Sequence, residues 1–247
     1  MPYTNPFRTL RWKDFFLVSV FPAIFLALGI AQSGPPSLSG ELRIMAGPIA
    51  QNVSDHSATV FWLTSRNTRM TLSYGRTEAH LDQIAATFEL AATAGNREHR
   101  VGLKNLEPNQ TYFFQILDDH SAVRAKGQFQ TEPTGYAQDG RLKIVDGPVF
   151  EYLDSTSVEI AWTTNAQSST LVRYGANPND LRKTVEAPWG QATHRVTITG
   201  LEPNATYYFV VEAGQASDSG TMAKSNEGSF RTAYQGEAAL TNIEPRR

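Results

Sequence analysis

Cysteine is missing from all 247 residues. That excludes disulfides, thiol nucleophiles, thiolate-ligated zinc and a lipid-modified cysteine anchor. Net charge is small as well: 22 basic against 24 acidic residues give a formal −2, and the two signs are interspersed rather than blocked. No basic stripe of the kind that gathers nucleic acid or an anionic membrane surface follows from that pattern. Phosphate-cradling loops, dinucleotide fingerprints and the strained serine elbow of hydrolases are absent too. Long apolar runs are missing with one exception, at the N-terminus. What remains is enough chain for one or two domains, each able to bury its own core without a metal or covalent staple.

In the exception, Arg8, Arg11 and Lys13 precede an apolar run from Phe15 to Ala31, which ends in Gly29-Ile30-Ala31, small residues at the spacing a signal peptidase requires. Residues 1–31 therefore read as a signal peptide or a signal anchor. The run is long for a cleaved signal and short of the roughly 20 residues that span a bilayer, and Ser19 and Pro22 weaken it as a permanent helix. On either outcome the basic flank stays in the cytoplasm and the rest is exported, to the periplasm, the cell surface or the medium. Contact with a membrane is expected only through residues 15–31, and only if they are retained. Cleavage after Ala31 removes three basic and one acidic residue and leaves a net charge of −4.

The rest of the chain repeats itself. Gly47-Pro48, Trp62, Tyr74-Gly75 and Leu81 return one hundred positions later as Gly147-Pro148, Trp162, Tyr174-Gly175 and Leu181. His99-Arg100-Val101 and Leu106-Glu107-Pro108-Asn109 return as His194-Arg195-Val196 and Leu201-Glu202-Pro203-Asn204 at an offset of ninety-five, and Phe129 and Thr131 as Phe230 and Thr232 at one hundred and one. The first copy thus has five extra residues between Gly75 and His99, and the second has six after Phe209. Insertions of this kind mark loops. Within each copy the apolar residues alternate: Ala58, Val60 and Trp62 in one, Val158, Ile160 and Trp162 in the other. A period of two means strands with one buried face. In the second copy further short runs are expected at Thr170–Tyr174, Leu181–Val185, His194–Ile198, Tyr207–Ala213 and Gly228–Thr232, with turn residues between them. About seven strands in about ninety residues make a two-sheet sandwich. The expected order is signal or anchor 1–31, linker 32–42, sandwich 43–133, linker 134–141, sandwich 142–233 and a loose tail 234–247. The second linker, with its proline and glycine, reads as semi-flexible.

The Leu201-Glu202-Pro203 turn followed by Tyr207, with Trp162 and the closing Phe230-x-Thr232, resembles the fibronectin type III domain. The first copy repeats it with Leu106-Glu107-Pro108, Tyr112, Trp62 and Phe129-x-Thr131. The Tyr-Gly and His-Arg-Val elements resemble more narrowly the variant that precedes the catalytic domain of purple acid phosphatases. The resemblance implies an all-β sandwich module used for adhesion, spacing or accessory binding, with that catalytic domain missing. Tyr112 and Tyr207 suit the corner where a tyrosine hydroxyl turns back to the preceding turn, and Trp62 and Trp162 suit core anchors. Phe114 and Phe209 stand where an immunoglobulin domain has the second cysteine of its inter-sheet disulfide, so apolar packing replaces the cross-link.

No residue set points to catalysis, to a cofactor or to a metal. His99 and His194 recur at one strand position, which favours a structural role in the module. Asp118, Asp119 and His120 are a conceivable cation cluster, but they fall in the expected turn between the sixth and seventh strands, where Asp serves its own hydrogen bonding. Gly95-Asn96-Arg97-Glu98-His99 only scrambles a Gly-Asn-His-Glu metal motif. The candidate partner-binding residues lie elsewhere. Trp189, between Pro188 and Gly190, is expected on a turn with its indole either exposed or folded over the sheet edge. The lengthened loop Gly214–Gly228 offers Asp218, Lys224 and Asn226. Phe61 and Phe150 are candidates for a contact between the two sandwiches. The expected function is an exported, non-enzymatic binding, adhesion or spacer module whose partner is a protein or a glycan. The alternative is an accessory module that binds a glycan or supports an enzyme encoded elsewhere.

Overall fold

The computed structural model describes residues 40–86, 97–135, 140–215 and 222–241. The expected N-terminal signal or anchor lies outside them. Among the described residues there is no helix, and so none long and apolar enough to cross a membrane.

Seven strands build the first sandwich: β1 (Ile44–Gln51), β2 (Ser57–Thr64), β3 (Met70–Gly75), β4 (Gln83–Ala86), β5 (Glu98–Lys104), β6 (Thr111–Asp118) and β7 (Val123–Gln130). One layer is β1-β2-β5 and the other β4-β3-β6-β7, all antiparallel. That layering is the fibronectin type III arrangement. Its core follows from the alternation: Val60 and Trp62 from one layer meet Leu72, Phe114 and Ile116 from the other, all buried.

The second sandwich fills the same positions with fewer, longer strands. They are β8 (Ile144–Leu153), β9 (Val158–Gly175), β10 (Lys183–Ile198), β11 (Thr206–Gly214), β12 (Met222–Lys224) and β13 (Gly228–Arg231), with the short β14 (Leu240–Thr241) behind them. β9 serves both layers. Its first half pairs with β8 and its second with β11, while β10 follows it along both halves. The runs expected as separate strands at Leu181–Val185 and His194–Ile198 are therefore one strand, and Ala187-Pro188-Trp189-Gly190 is no turn. The reason is local: β10 pairs only with β9, so Pro188 withholds no hydrogen bond from a second neighbour. Gly190, at φ 102°, takes up the register shift between Ala187 and Gln191 as a bulge.

Both tyrosines close their corners. The Tyr112 hydroxyl accepts the Glu107 N–H at 2.9 Å and Tyr207 that of Glu202 at 3.0 Å. The Phe-x-Thr motif completes each corner from the other side: Thr131 and Thr232 donate to the Glu107 and Glu202 carbonyls, both at 2.6 Å. Trp62 and Trp162 are 0% and 1% exposed.

The two sandwiches share one sheet. β13, the outer strand of the second sandwich, pairs with β1 of the first, and the path β9-β11-β13-β1-β2-β5 runs on without a break. Apolar side chains close the joint. Met45, Ile49 and Phe61 of the first sandwich belong to the core of the second, and Phe61 stacks on Phe150 with centroids 6.1 Å apart. The Gln51 amide donates to the Pro148 carbonyl across it. A semi-flexible connection was the expectation from linker composition, and this joint overrides it: shared core and sheet fix the pair whatever segment links them. Nor is Tyr234–Thr241 a loose tail. Arg43 lies over the Tyr234 ring, 4.5 Å from its centroid, and pairs with Glu237, while Leu240 is buried where β14 pairs with β8.

Candidate functional site

Trp189 projects from the bulge in β10 and is 55% exposed. It is the large aromatic side chain that the described surface presents. Met222, 67% exposed, stands on β12 opposite Gly214, at the same end of the second sandwich. Gly214 in turn donates its N–H to Ser169 on β9.

The other candidates from the Gly214–Gly228 loop are dispersed. Asp218 lies outside the described residues. Lys224 ends β12 with its ammonium 3.7 Å from Glu212, which also takes Arg173 at 2.9 Å. Asn226 is committed to the joint: its side-chain amide donates to the Ala50 carbonyl at 3.0 Å, and the Ser229 hydroxyl nearby donates to the Gly47 carbonyl. Part of a loop that looks like a free recognition surface in the sequence is thus a clamp between domains. Glu227 beside it is held above the usual carboxylate range by burial, against the pull of Lys224.

The paired histidines are buried. His99 stacks on Trp62 and His194 on Trp162, in each case with ring centroids 5.0 Å apart. Nε2 of His99 meets Thr64 Oγ1 at 3.2 Å. His194 has hydroxyls on both ring nitrogens, Thr164 Oγ1 at 2.9 Å and Ser168 Oγ at 3.1 Å on Nε2 and Thr170 Oγ1 at 2.6 Å on Nδ1. Burial disfavours the charged form in both. It pushes His99 down to about 4 against the pull of Glu98, and lowers His194.

Asp118, Asp119 and His120 do come together, but Asp118 is spent on the turn itself. One of its oxygens accepts the His120 and Ala122 N–H groups at 2.9 Å each, and the other takes Arg124 at 2.7 Å. Those bonds hold its carboxyl below the usual range. Arg97, Glu98 and His99 enter strand β5 as structural residues, with the Arg97 carbonyl accepting the Thr64 N–H. Neither group presents convergent side chains to a substrate.

These features define a tandem sandwich pair that, among the described residues, exposes the Trp189 indole. Residues 48–131 and 149–232 each match the family described as the purple acid phosphatase N-terminal domain, and the chain belongs to that family. Neither match includes a catalytic domain. No curated protein matches the sequence. Among solved structures it is similar to a two fibronectin type III domain segment from chicken tenascin, at 12% identity over 76% of this chain and 99% of that one, with a TM-score of 0.31. It is also similar to the FN1–FN3 domains of chicken CNTN1, at 13% identity over 74% of this chain and 66% of that one, with a TM-score of 0.30.

Proposed function

We propose that this chain is an exported, non-enzymatic module of the cell envelope that binds or spaces partners as one rigid body. The shared sheet and shared core carry this reading. A spacer that transmits position needs its two domains fixed to one another, and β13 on β1 with Phe61 on Phe150 provides that. Crosslinking of the chain in its native envelope, followed by identification of the captured protein, tests the reading. Recovery of one partner crosslinked near Trp189 is expected, and a chain found only in the cytoplasm would overturn it. Phosphatase assays with added divalent metal are expected to show no turnover above buffer.

The exposed indole of Trp189 favours a second reading, an accessory glycan-binding module, because an unobstructed indole stacks on the apolar face of a sugar. Glycan arrays with the wild type and Trp189→Ala decide it. Binding by the wild type and loss in the variant support the accessory role, and silence from both removes it.

A further inference from the structure

Phe61 and Trp62 are consecutive on β2, and across the ladder they face Arg100 and His99, consecutive on β5. Alternation along a strand sends the two halves of this block to opposite faces of the sheet. Inward, His99 stacks on Trp62 with the ring planes 6° apart and bonds Thr64. Outward, the Arg100 guanidinium lies over the Phe61 ring, 5.3 Å from its centroid, and reaches Asp146 of the second sandwich at 3.8 Å, while Phe61 stacks on Phe150. One pair of strand positions therefore carries a buried imidazole on one face and the joint between the sandwiches on the other.

We propose that ionisation of His99 releases the joint, so that the two sandwiches are locked at neutral pH and uncouple in acid while each keeps its own fold. In the neutral ring, Nε2–H donates to Thr64 Oγ1, and the threonine passes its single proton on to the Arg66 or Arg97 carbonyl. An imidazolium in this place has lost its water, and the pull of the neighbouring Glu98 carboxylate does not make up for that loss. On its own strand the neighbouring charges are Arg100 and Glu98, whose carboxylate is already bonded by Arg100, and Arg97 stands just before it. Among the described residues, β2 brings Trp62 and Thr64 against the ring, and β3 brings the uncharged Met70, whose sulfur accepts the Trp62 N–H. The first response available is for β5 to move off β2 at this position, and that withdraws Arg100 from Asp146 and unseats Phe61.

His194 is the internal control. It stacks on Trp162 in the same way, yet its outward neighbour Arg195 binds Glu151 and Glu159 of its own sandwich. Its ionisation loosens the second sandwich without withdrawing a guanidinium from the joint.

The sign follows from linkage. A histidine with a lowered folded-state pKa gives its full contribution to stability above its ordinary value near 6.5 and loses it as pH falls toward the folded value, here about 4. Across that window each unit of pH lowers the equilibrium for the closed joint by at most about tenfold, the full factor applying where the displaced β5 returns the ring to water.

The chain has no cysteine of its own, so Lys104→Cys and Thr184→Cys place one spin label on each sandwich. Electron–electron distance measurements on the full chain are expected to give one narrow distribution at pH 7.5 and a broad one at pH 4. The midpoint should coincide with the His99 Cε1 titration seen by NMR, and far-ultraviolet circular dichroism should keep its β signature throughout. His194→Gln is expected to leave the broadening intact and His99→Gln to abolish it. The proposal is overturned by a distribution that stays narrow while His99 titrates, by broadening that accompanies loss of the β signature, or by a His194→Gln chain that no longer responds to acid. If His99→Gln fails to fold, the coincidence of the two midpoints in the wild type decides alone.

Discussion

The same outer face, formed by the first two strands of each sandwich, has opposite character in the two copies. On the first sandwich it carries Met45, Phe61 and Leu63, all covered by the second sandwich. The corresponding residues on the second are Val145, Ala161 and Thr163, and where Met45 is 1% exposed Val145 is 47%. Gln51 and Thr59 give way to Glu151 and Glu159, which clamp Arg195 between them. The edges differ to match: β1 is paired by β13 of the second sandwich, whereas β8 is paired by the short β14 that follows the second sandwich. A repeat array needs a terminal unit with a polar face and a protected edge to stop it growing. The second sandwich has both features and the first has neither of its own, so the two copies present different outer faces.

The largest expected effect tests how alike the two cores are beneath these faces. Trp62→Ala and Trp162→Ala should each cost about 3–5 kcal/mol in urea unfolding, enough to unfold a marginal domain. Replacement by Phe separates them. The Trp62 N–H donates to Met70 Sδ at 3.2 Å, while the buried Trp162 N–H has no partner. Trp62→Phe should therefore cost about 0.5–1 kcal/mol more than Trp162→Phe, and equal costs would mean that the sulfur contact contributes nothing.

Next comes the joint. Phe61→Ala should cost about 3–4 kcal/mol and split one unfolding transition into two, because the side chain lost belongs to the shared core rather than to one sandwich. A single transition at lower denaturant would show that the sandwiches stay coupled through the β13–β1 pairing alone.

That joint also marks how far the sequence could be read. Repeats, strand alternation, the Trp cores and the tyrosine corners are all legible because each leaves a side-chain pattern of short period. Phe61 and Phe150 could be singled out because an aromatic at an outward strand position contradicts that pattern. Pairing between β1 and β13 left no such mark, since an edge strand offers the same backbone groups whichever partner takes them. Asn226 looked like loop polarity for the same reason: its bond to the Ala50 carbonyl depends on a neighbour that only the assembled pair supplies. The run through Pro188 was misread because proline breaks a central strand and is tolerated on an edge, and edge status is a property of the sheet.

Smaller effects belong to the exposed end and the polar face. Arg195→Ala should cost about 0–1 kcal/mol, since the arginine is more than half exposed and water screens both of its partners. Trp189→Ala should fall within about 0.5 kcal/mol of the wild type in stability, as expected for an exposed side chain outside the core. Any loss of ligand binding in that variant then reports on the surface and not on folding.

The last expected effect runs toward greater stability and concerns the other layer. On its outward side Ser73 of β3 lies between Ile84 of β4 and Gln115 of β6, and its hydroxyl is buried without a hydrogen-bond partner. The second copy has Arg173 at this place, reaching Glu212 at 2.9 Å, so the polar group there is satisfied by a charge partner that the first copy lacks. A buried hydroxyl that has given up water for nothing is a net cost, and removing it recovers part of that cost. Ser73→Ala should accordingly leave stability unchanged or raise it by up to about 1 kcal/mol. Arg173→Ala, which leaves the buried Glu212 carboxylate with the more distant Lys224 alone, should lower it. Urea melts of the two variants side by side test the contrast, and destabilisation by Ser73→Ala would mean that its hydroxyl has a partner after all.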